Sequence, residues 1–106
     1  MKCMSYDRFF EVFANKTRLK IIESLLKSDK NVTQIYENIK EEQSNVSHNL
    51  KILYECNFIT KKRQGKNIIY SINKETIKPM LDIVNKHVSK FCKGNCVKNN
   101  EIHILG

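Results

Sequence analysis

Two cysteines near the carboxyl end of the sequence have a spacing that supports metal or redox chemistry. Cys92 and Cys96 are four residues apart in the segment FCKGNC, with Lys93 between them. Thiolates at this spacing can bind one soft ion together, and neighbouring lysines lower the pKa of a thiol. Cys3 or Cys56 can supply a third ligand. The pair can instead close a disulfide as a redox switch, or have no sensory role, and the sequence leaves these three alternatives open.

A dense group of cations lies in the segment KKRQGK, which contains no acidic residue. Lys61, Lys62, Arg63 and Lys66 fall between two short segments rich in β-branched and aromatic residues, so we expect them at the tip of a hairpin. Four cations on a protruding ribbon are well placed to contact phosphates. A solvated charge run is the alternative, and we favour the phosphate interpretation.

The segment SNVSHNLKIL has an unusual polar side. At helical spacing, Val46, Leu50 and Leu53 share one face, whereas the opposite face carries Ser44, Ser47, Asn45, His48 and Lys51. Short polar side chains can exchange hydrogen bonds with base edges and allow a helix to enter the major groove closely. A solvent-exposed polar face is the alternative. The basic hairpin directly after this segment favours DNA.

Length and composition limit the classes of protein. The chain has 106 residues, 41% of them hydrophobic, and a net charge of +8, which favours an anionic partner. We expect one domain over 1–106, with 92–106 as a flexible C-terminal tail. The amino terminus is charged and no apolar run approaches a membrane span of about 18 residues. We therefore expect a cytoplasmic protein without a membrane partner, in which all four cysteines are reduced thiols.

The periodicity changes twice along the chain. Helical stripes predict four short helices, and a period-two segment then predicts a β-hairpin in which Gly65 supplies the turn. A long last helix follows, with Pro79 near its first turns, where proline is best tolerated. The fold class is therefore α+β and mostly α. The predicted elements are helices near 5–14 and 17–27, a helix capped by Thr33, a helix at 43–55, the hairpin, and a last helix from about Lys74.

The third and fourth predicted helices, joined by a tight turn, match a helix-turn-helix. The segments NKTRLKIIESLL, VTQIYENI and SNVSHNLKILYECNFITKKRQGKNIIYSI, in that order, resemble the ArsR/SmtB family of winged helix-turn-helix repressors over roughly residues 9–91. The resemblance implies a recognition helix at 43–55 and a wing at about 60–70. The expected DNA contacts are Gln43, Ser44, Asn45, Ser47, His48, Lys51, Lys62, Arg63 and Lys66. Among them Gln43, Ser44, Ser47 and His48 are expected to contact bases, and Lys51, Arg63 and Lys66 phosphates.

The resemblance also implies a homodimer that binds a pseudo-palindromic operator and leaves it when an inducer binds. The first and last helices would form the dimer interface, which we expect to include Phe9, Phe10, Phe13, Leu81, Val84 and Val88. Monomer core is the alternative for this apolar stripe. In this family the inducer is commonly a metal ion.

Two familiar metal-ligand arrangements of the family are not matched here. The third helix has no cysteine pair, and the last helix lacks the expected pairing of acid and histidine, because Asp82 and His87 are five residues apart. Cys92 and Cys96, with Cys3 or Cys56, are then the candidate ligands for a soft ion such as arsenite, cadmium or zinc. A redox or reactive-sulfur response through the same pair is the alternative.

One departure from the family pattern lies just before the recognition helix. Glu41 and Glu42 replace an apolar residue and a Ser or Thr cap, which leaves the start of that helix open by a residue or two. It also places negative charge near the DNA, so a protein-interaction or metal-buffering module without specific DNA binding remains an alternative. An enzyme is disfavoured, because we find no Gly-rich phosphate loop and no catalytic triad or paired carboxylates.

Overall fold

The computed structural model describes residues 5–92. Its elements follow the predicted order of four short helices, a hairpin and a longer last helix, so the predicted fold class is confirmed. The bounds are α1 Tyr6–Phe13, α2 Lys16–Lys27, α3 Val32–Ile39, α4 Gln43–Glu55, β1 Ile59–Gln64, β2 Asn67–Ile72 and α5 Ile77–Phe91. The last helix begins three residues later than predicted.

Asparagine side chains cap the second and third helices. Asn15 accepts a 3.0 Å hydrogen bond from the Arg18 amide at the start of α2. The prediction that Thr33 caps α3 is wrong, because the cap is Asn31. Its side chain accepts from the Gln34 amide at 2.8 Å, and the Gln34 side chain accepts from the Asn31 amide at 2.9 Å. This reciprocal capping box satisfies two amides at once, which a cap at Thr33 would not.

The core takes buried apolar residues from every helix and from both strands. At its centre lies Phe58, which is fully buried between α4 and β1. The rings of Phe9 and Phe13 pack on it at centroid distances of 4.9 and 5.5 Å. Since aromatic side chains bury the largest areas, these contacts hold α1 on the domain.

The hairpin is anchored at its base and extends into solvent. Ile59 pairs with Ile72 and both are buried, whereas the rest of β1 is exposed. Gly65 begins the two-residue turn with a φ of 64°, as its position in the sequence predicted. The base is also held from the other side, because Lys30 and Tyr70 exchange backbone hydrogen bonds of 3.1 and 2.8 Å.

The last helix contacts the core through its first turns only. Ile77 and Leu81 are buried, and Pro79 lies in the first turn as predicted. From Asp82 to Phe91, a length of roughly 15 Å, every residue is exposed or half-buried. Across the described residues 5–92, the structure contains no helix with the length and apolar character of a membrane span.

Candidate nucleic-acid interface

A short turn joins α3 to α4 and sets where the second helix begins. Lys40 closes α3 in the left-handed region, with a φ of 58°, and its amide donates to the carbonyl of Tyr36. Glu42 is the N-cap of α4, and its side chain makes no capping hydrogen bond. The helix therefore begins at Gln43, the start that the sequence had left open, and the Glu42 side chain leaves the first-turn amides available.

The two faces of α4 separate as the sequence predicted. Val46, Leu50 and Leu53 are buried against the domain. The residues expected to contact DNA from this helix are all exposed: Gln43, Ser44, Asn45, Ser47, His48 and Lys51. The helix thus presents a polar surface with short side chains at its amino-terminal half.

Asn45 differs from its exposed neighbours because its amide points to the domain. Its Nδ2 donates to Glu41 Oε1 at 3.3 Å and to Thr17 Oγ1 at 3.4 Å. The other Glu41 oxygen accepts from Lys20 Nζ at 3.0 Å, and this hydrogen bond holds the pKa of Glu41 below its usual value. The charge of Glu41, which the sequence placed near the DNA without a partner, is therefore paired with a lysine of α2.

Asn49 is a residue that sequence reasoning missed. It is 4% exposed on the apolar face of α4, and its Nδ2 donates to the Asn45 carbonyl at 2.9 Å and to Asn45 Oδ1 at 3.0 Å. Its Oδ1 accepts from an Arg18 guanidinium nitrogen at 2.8 Å. The sequence contains a signal for this role, because an asparagine three residues after Val46 and beside Leu50 lies on the apolar face and needs a buried hydrogen-bond partner.

Arg18 connects this asparagine to the first helix. Its Nε donates to the Val12 carbonyl at 2.6 Å, and a terminal nitrogen donates to the Glu11 carbonyl at 3.5 Å. Burial is the main cause that lowers the pKa of Arg18, with the nearby Arg8 a further cause. One guanidinium thus contacts the carboxyl end of α1 and the middle of α4.

The cations of the wing differ in their contacts. Lys61 Nζ lies 4.2 Å from the centroid of the Tyr54 ring, a cation–π contact that joins the wing to α4. Lys62, Arg63 and Lys66 are exposed, and none of the three ion pairs in residues 5–92 includes them. Three of the four predicted wing cations are therefore available to phosphates, and the fourth is held against the protein.

Comparison with known proteins identifies the family. Residues 15–61 match the family model of the bacterial regulatory protein, arsR family. The chain is 32% identical over 84 residues to the transcriptional repressor SdpR of Bacillus subtilis, a match that covers 76% of this chain and 93% of SdpR. The chain belongs to the arsR family. The resemblance found in the sequence is thus confirmed, and the family is one of regulatory proteins.

Other arsR-family matches differ in extent. The arsenical resistance operon repressor of Bacillus subtilis is 34% identical over 77 residues, covering 72% of this chain and 73% of that protein. A probable mercury resistance operon repressor of Streptomyces lividans is 32% identical over 65 residues; the match covers 61% of this chain but only about half, 52%, of that protein's length. Among solved structures, the homodimeric winged helix-turn-helix DNA-binding domain of Mb0332 from Mycobacterium bovis has a TM-score of 0.75 at 21% identity, covering 87% of this chain and 85% of that one. That likeness confirms the winged helix fold.

The predicted sulfur ligands are only partly placed in this arsR-family chain. Cys92 is the C-cap residue of α5, and Cys56 is buried directly after α4. Cys3 and Cys96 lie outside the described residues. In residues 5–92 no three His, Cys, Asp or Glu side chains form a group that could hold a metal ion.

The prediction that all four cysteines are reduced is wrong at Cys56, which is disulfide-bonded. That prediction rested on the cellular compartment alone, and a compartment does not indicate which sulfur atoms the fold brings together. The Cys56 side chain is 8% exposed.

The apolar residues expected at a dimer interface fall into two groups. Leu81 is 1% exposed and packs inside its own chain, and Phe9 and Phe13 are half-buried on Phe58. Phe10 is 60% exposed and Val84 is 43% exposed, while Val88 is half-buried. Three further large apolar side chains on α1 and α5 are exposed although they were not among the expected interface residues: Tyr6, Ile83 and Phe91.

Proposed function

We propose that the protein is a homodimeric, sequence-specific DNA-binding transcriptional repressor. The observation that carries this proposal is the exposed polar face of α4 beside a wing whose Lys62, Arg63 and Lys66 have no ion-pair partner among the described residues. A cytoplasmic location is part of the proposal.

The dimensions of α4 suit a major groove. Its 13 residues span about 20 Å, and the exposed side chains of Ser44, Ser47 and His48 share one face over about one turn. These groups donate and accept hydrogen bonds, which is what base edges require. Lys51, one turn further on, and the wing cations would contact phosphates on either side of the bases.

The exposed apolar side chains of α1 and α5 support a homodimer. Tyr6, Phe10 and Ile83 are each at least 60% exposed, and the second half of α5 has few contacts in its own chain. Apolar patches of this kind mark protein interfaces in otherwise polar surfaces. The homodimeric state of the Mycobacterium bovis domain supports a second copy of this chain as the partner.

Footprinting tests the proposal. The protein, incubated with DNA from upstream of its own gene, should protect a pseudo-palindrome whose half-sites lie one helical turn, about 34 Å, or a multiple of it apart. A scrambled duplex of equal length and composition is the control. Uniform protection of both duplexes that disappears together with rising salt would show binding without sequence specificity and would refute the proposal.

We propose that a thiol-reactive inducer releases the protein from its operator. A soft ion such as arsenite, cadmium or zinc would bind Cys92 and Cys96, with Cys3 as the candidate third ligand, or an oxidant would modify the same pair. Cys56 is withdrawn as a candidate, because its sulfur is disulfide-bonded. The arsenical and mercury resistance repressors among the relatives support a soft ion. The position of Cys92 at the end of α5 supports coupling to the dimer interface.

The competing interpretation, a metal-buffering or protein-interaction module, rested on acidic residues before the recognition helix. Glu41 is paired with Lys20 and hydrogen-bonded to Asn45, so its charge is already compensated. Of these two acidic residues, only Glu42 takes part in none of the ion pairs within residues 5–92. The electrostatic objection to DNA binding is correspondingly weaker.

A further inference from the structure

A continuous set of directional contacts runs from the first helix to the amino-terminal half of the recognition helix. Arg18 donates to main-chain carbonyls at the end of α1 and to Asn49 Oδ1 on α4. Asn49 in turn donates to the main-chain carbonyl and to the side chain of Asn45, one turn earlier on α4. Three helices are thus joined through two side chains.

The chemistry of the two residues makes this connection stiff. A guanidinium is planar and its N–H groups diverge at fixed angles, so three contacts at once fix its orientation. Asn49 is almost fully buried, so its hydrogen bonds do not exchange readily with water. Every buried side-chain nitrogen and oxygen in residues 5–92 has a hydrogen-bond partner, which this pair helps to achieve.

The apolar contacts of α4 cannot fix its rotation in the same way. Val46, Leu50 and Leu53 bury apolar surface, and that attraction is not directional. A small rotation of α4 about its axis would preserve most of this burial. It would nevertheless displace Ser47 and His48, whose hydrogen bonds to bases depend steeply on distance and angle.

We propose that Arg18 and Asn49 are positioning residues that fix the rotation of α4 relative to α1 and thereby determine operator specificity. The inference rests on the proposed function, because it concerns how base contacts are aligned. Neither residue needs to touch DNA. Their effect should appear in the ratio of operator affinity to affinity for unrelated DNA, since phosphate contacts tolerate small displacements better than base contacts do.

The test compares substitutions in the dimeric, full-length protein. Asn49→Ala removes the acceptor of Arg18 and the donor to Asn45, and we expect the ratio of specific to non-specific affinity to fall roughly tenfold or more, the loss of about one base contact. Arg18→Lys keeps the charge but cannot make three divergent contacts, so the ratio should fall in the same direction. It also serves as the second test if Asn49→Ala does not fold.

The matched control is Ser24→Ala. Ser24 is 3% exposed and donates a 2.7 Å hydrogen bond to Asn38 Oδ1, so its loss also removes a buried polar contact, but between α2 and α3. The control should lower stability and leave the affinity ratio unchanged. In the double variant Arg18→Lys, Asn49→Ala, the ratio should fall little further than in Asn49→Ala alone, because both changes break one connection.

The outcomes separate this inference from the proposed function. A wild-type protein that binds the operator and unrelated DNA equally would overturn the proposed function. A wild-type protein that discriminates, together with folded Arg18 and Asn49 variants that keep its ratio or lose both affinities in parallel, would overturn the positioning role. Fully additive losses in the double variant would also overturn it, because the two residues would then act independently.

Discussion

Neutralising two wing cations should change how DNA binding depends on salt. The double substitution Arg63→Ala, Lys66→Ala removes side chains that are exposed and take part in no ion pair within residues 5–92, so folding should be little affected. We expect weaker operator binding and a shallower fall of affinity with salt, because fewer counterions are released when fewer phosphates are contacted.

The size of this effect follows from the number of contacts. Each phosphate contact on duplex DNA contributes about 0.9 to the slope of log affinity against log salt. Two cations in each subunit of a dimer make four contacts, so the slope should become shallower by about 3.6. Over a fourfold rise in salt, wild-type affinity should then fall roughly 150-fold more than the affinity of the double variant.

Fluorescence anisotropy with a labelled operator, repeated at several salt concentrations, measures the slope directly. The control is Lys86→Ala, Lys90→Ala, which removes the same charge from exposed positions on α5. Its slope should equal that of the wild type, provided that sedimentation shows both variants to be dimers. An unchanged slope in the wing variant, or equal changes in both variants, would refute the assignment of the wing to phosphates.

Four further variants test the dimer interface, the sensor cysteines, the turn of the wing and the pH dependence of stability. Phe10→Glu should give a folded monomer by sedimentation, since this side chain is exposed in the single chain, and a persistent dimer would contradict the interface. Cys92→Ser with Cys96→Ser should abolish release by arsenite, cadmium or oxidant while operator binding persists; release by all of them would exclude the pair as sensor. Gly65→Ala should lower the free energy of unfolding in urea by about 1–2 kcal/mol, because φ is 64° there and a methyl group meets open space, so no loss would mean that the turn relaxes. Glu41→Gln should flatten the acid end of a curve of unfolding free energy against pH. Because the pKa of Glu41 is lowered in the folded protein, its contribution to stability is present above its ordinary pKa and is lost as pH falls through the folded value. An unaltered curve would show that the pair of Glu41 with Lys20 does not contribute to stability.

Local sequence patterns correctly predicted the features that depend only on residues close together in the chain. The bounds of α4 and the turn at Gly65 were predicted correctly, because helical periodicity and a glycine between two β-type segments are local signals. The bridge between Lys30 and Tyr70 was not predicted, since it joins residues 40 positions apart through main-chain atoms. Such pairing has no side-chain signature in the sequence.

The dimer interface also depends on contacts between distant parts of the chain, which the sequence does not reveal. A stripe of apolar residues on α5 is visible in the sequence, but which of its members the single chain already buries depends on where α5 leaves the domain. Leu81 is buried in the core, whereas Val84 and Phe91 remain exposed. Periodicity alone assigns all of them to apolar surface and cannot divide that surface between the two uses.

On the polar side of α4, two exposed residues differ in a way that residue type alone does not predict. By residue type, Asn45 and Ser47 are equivalent candidates for base contacts, and both are exposed. The structure separates them by their partners: the Asn45 amide is directed to Glu41 and Thr17, and its carbonyl and side-chain oxygens accept from Asn49. If Asn45 contacts a base, it must first give up donors that hold the turn, so Ser44, Ser47 and His48 are the better candidates for base contacts. On this interpretation Asn45 supports the orientation of the helix, and its substitution should lower the ratio of operator affinity to affinity for unrelated DNA.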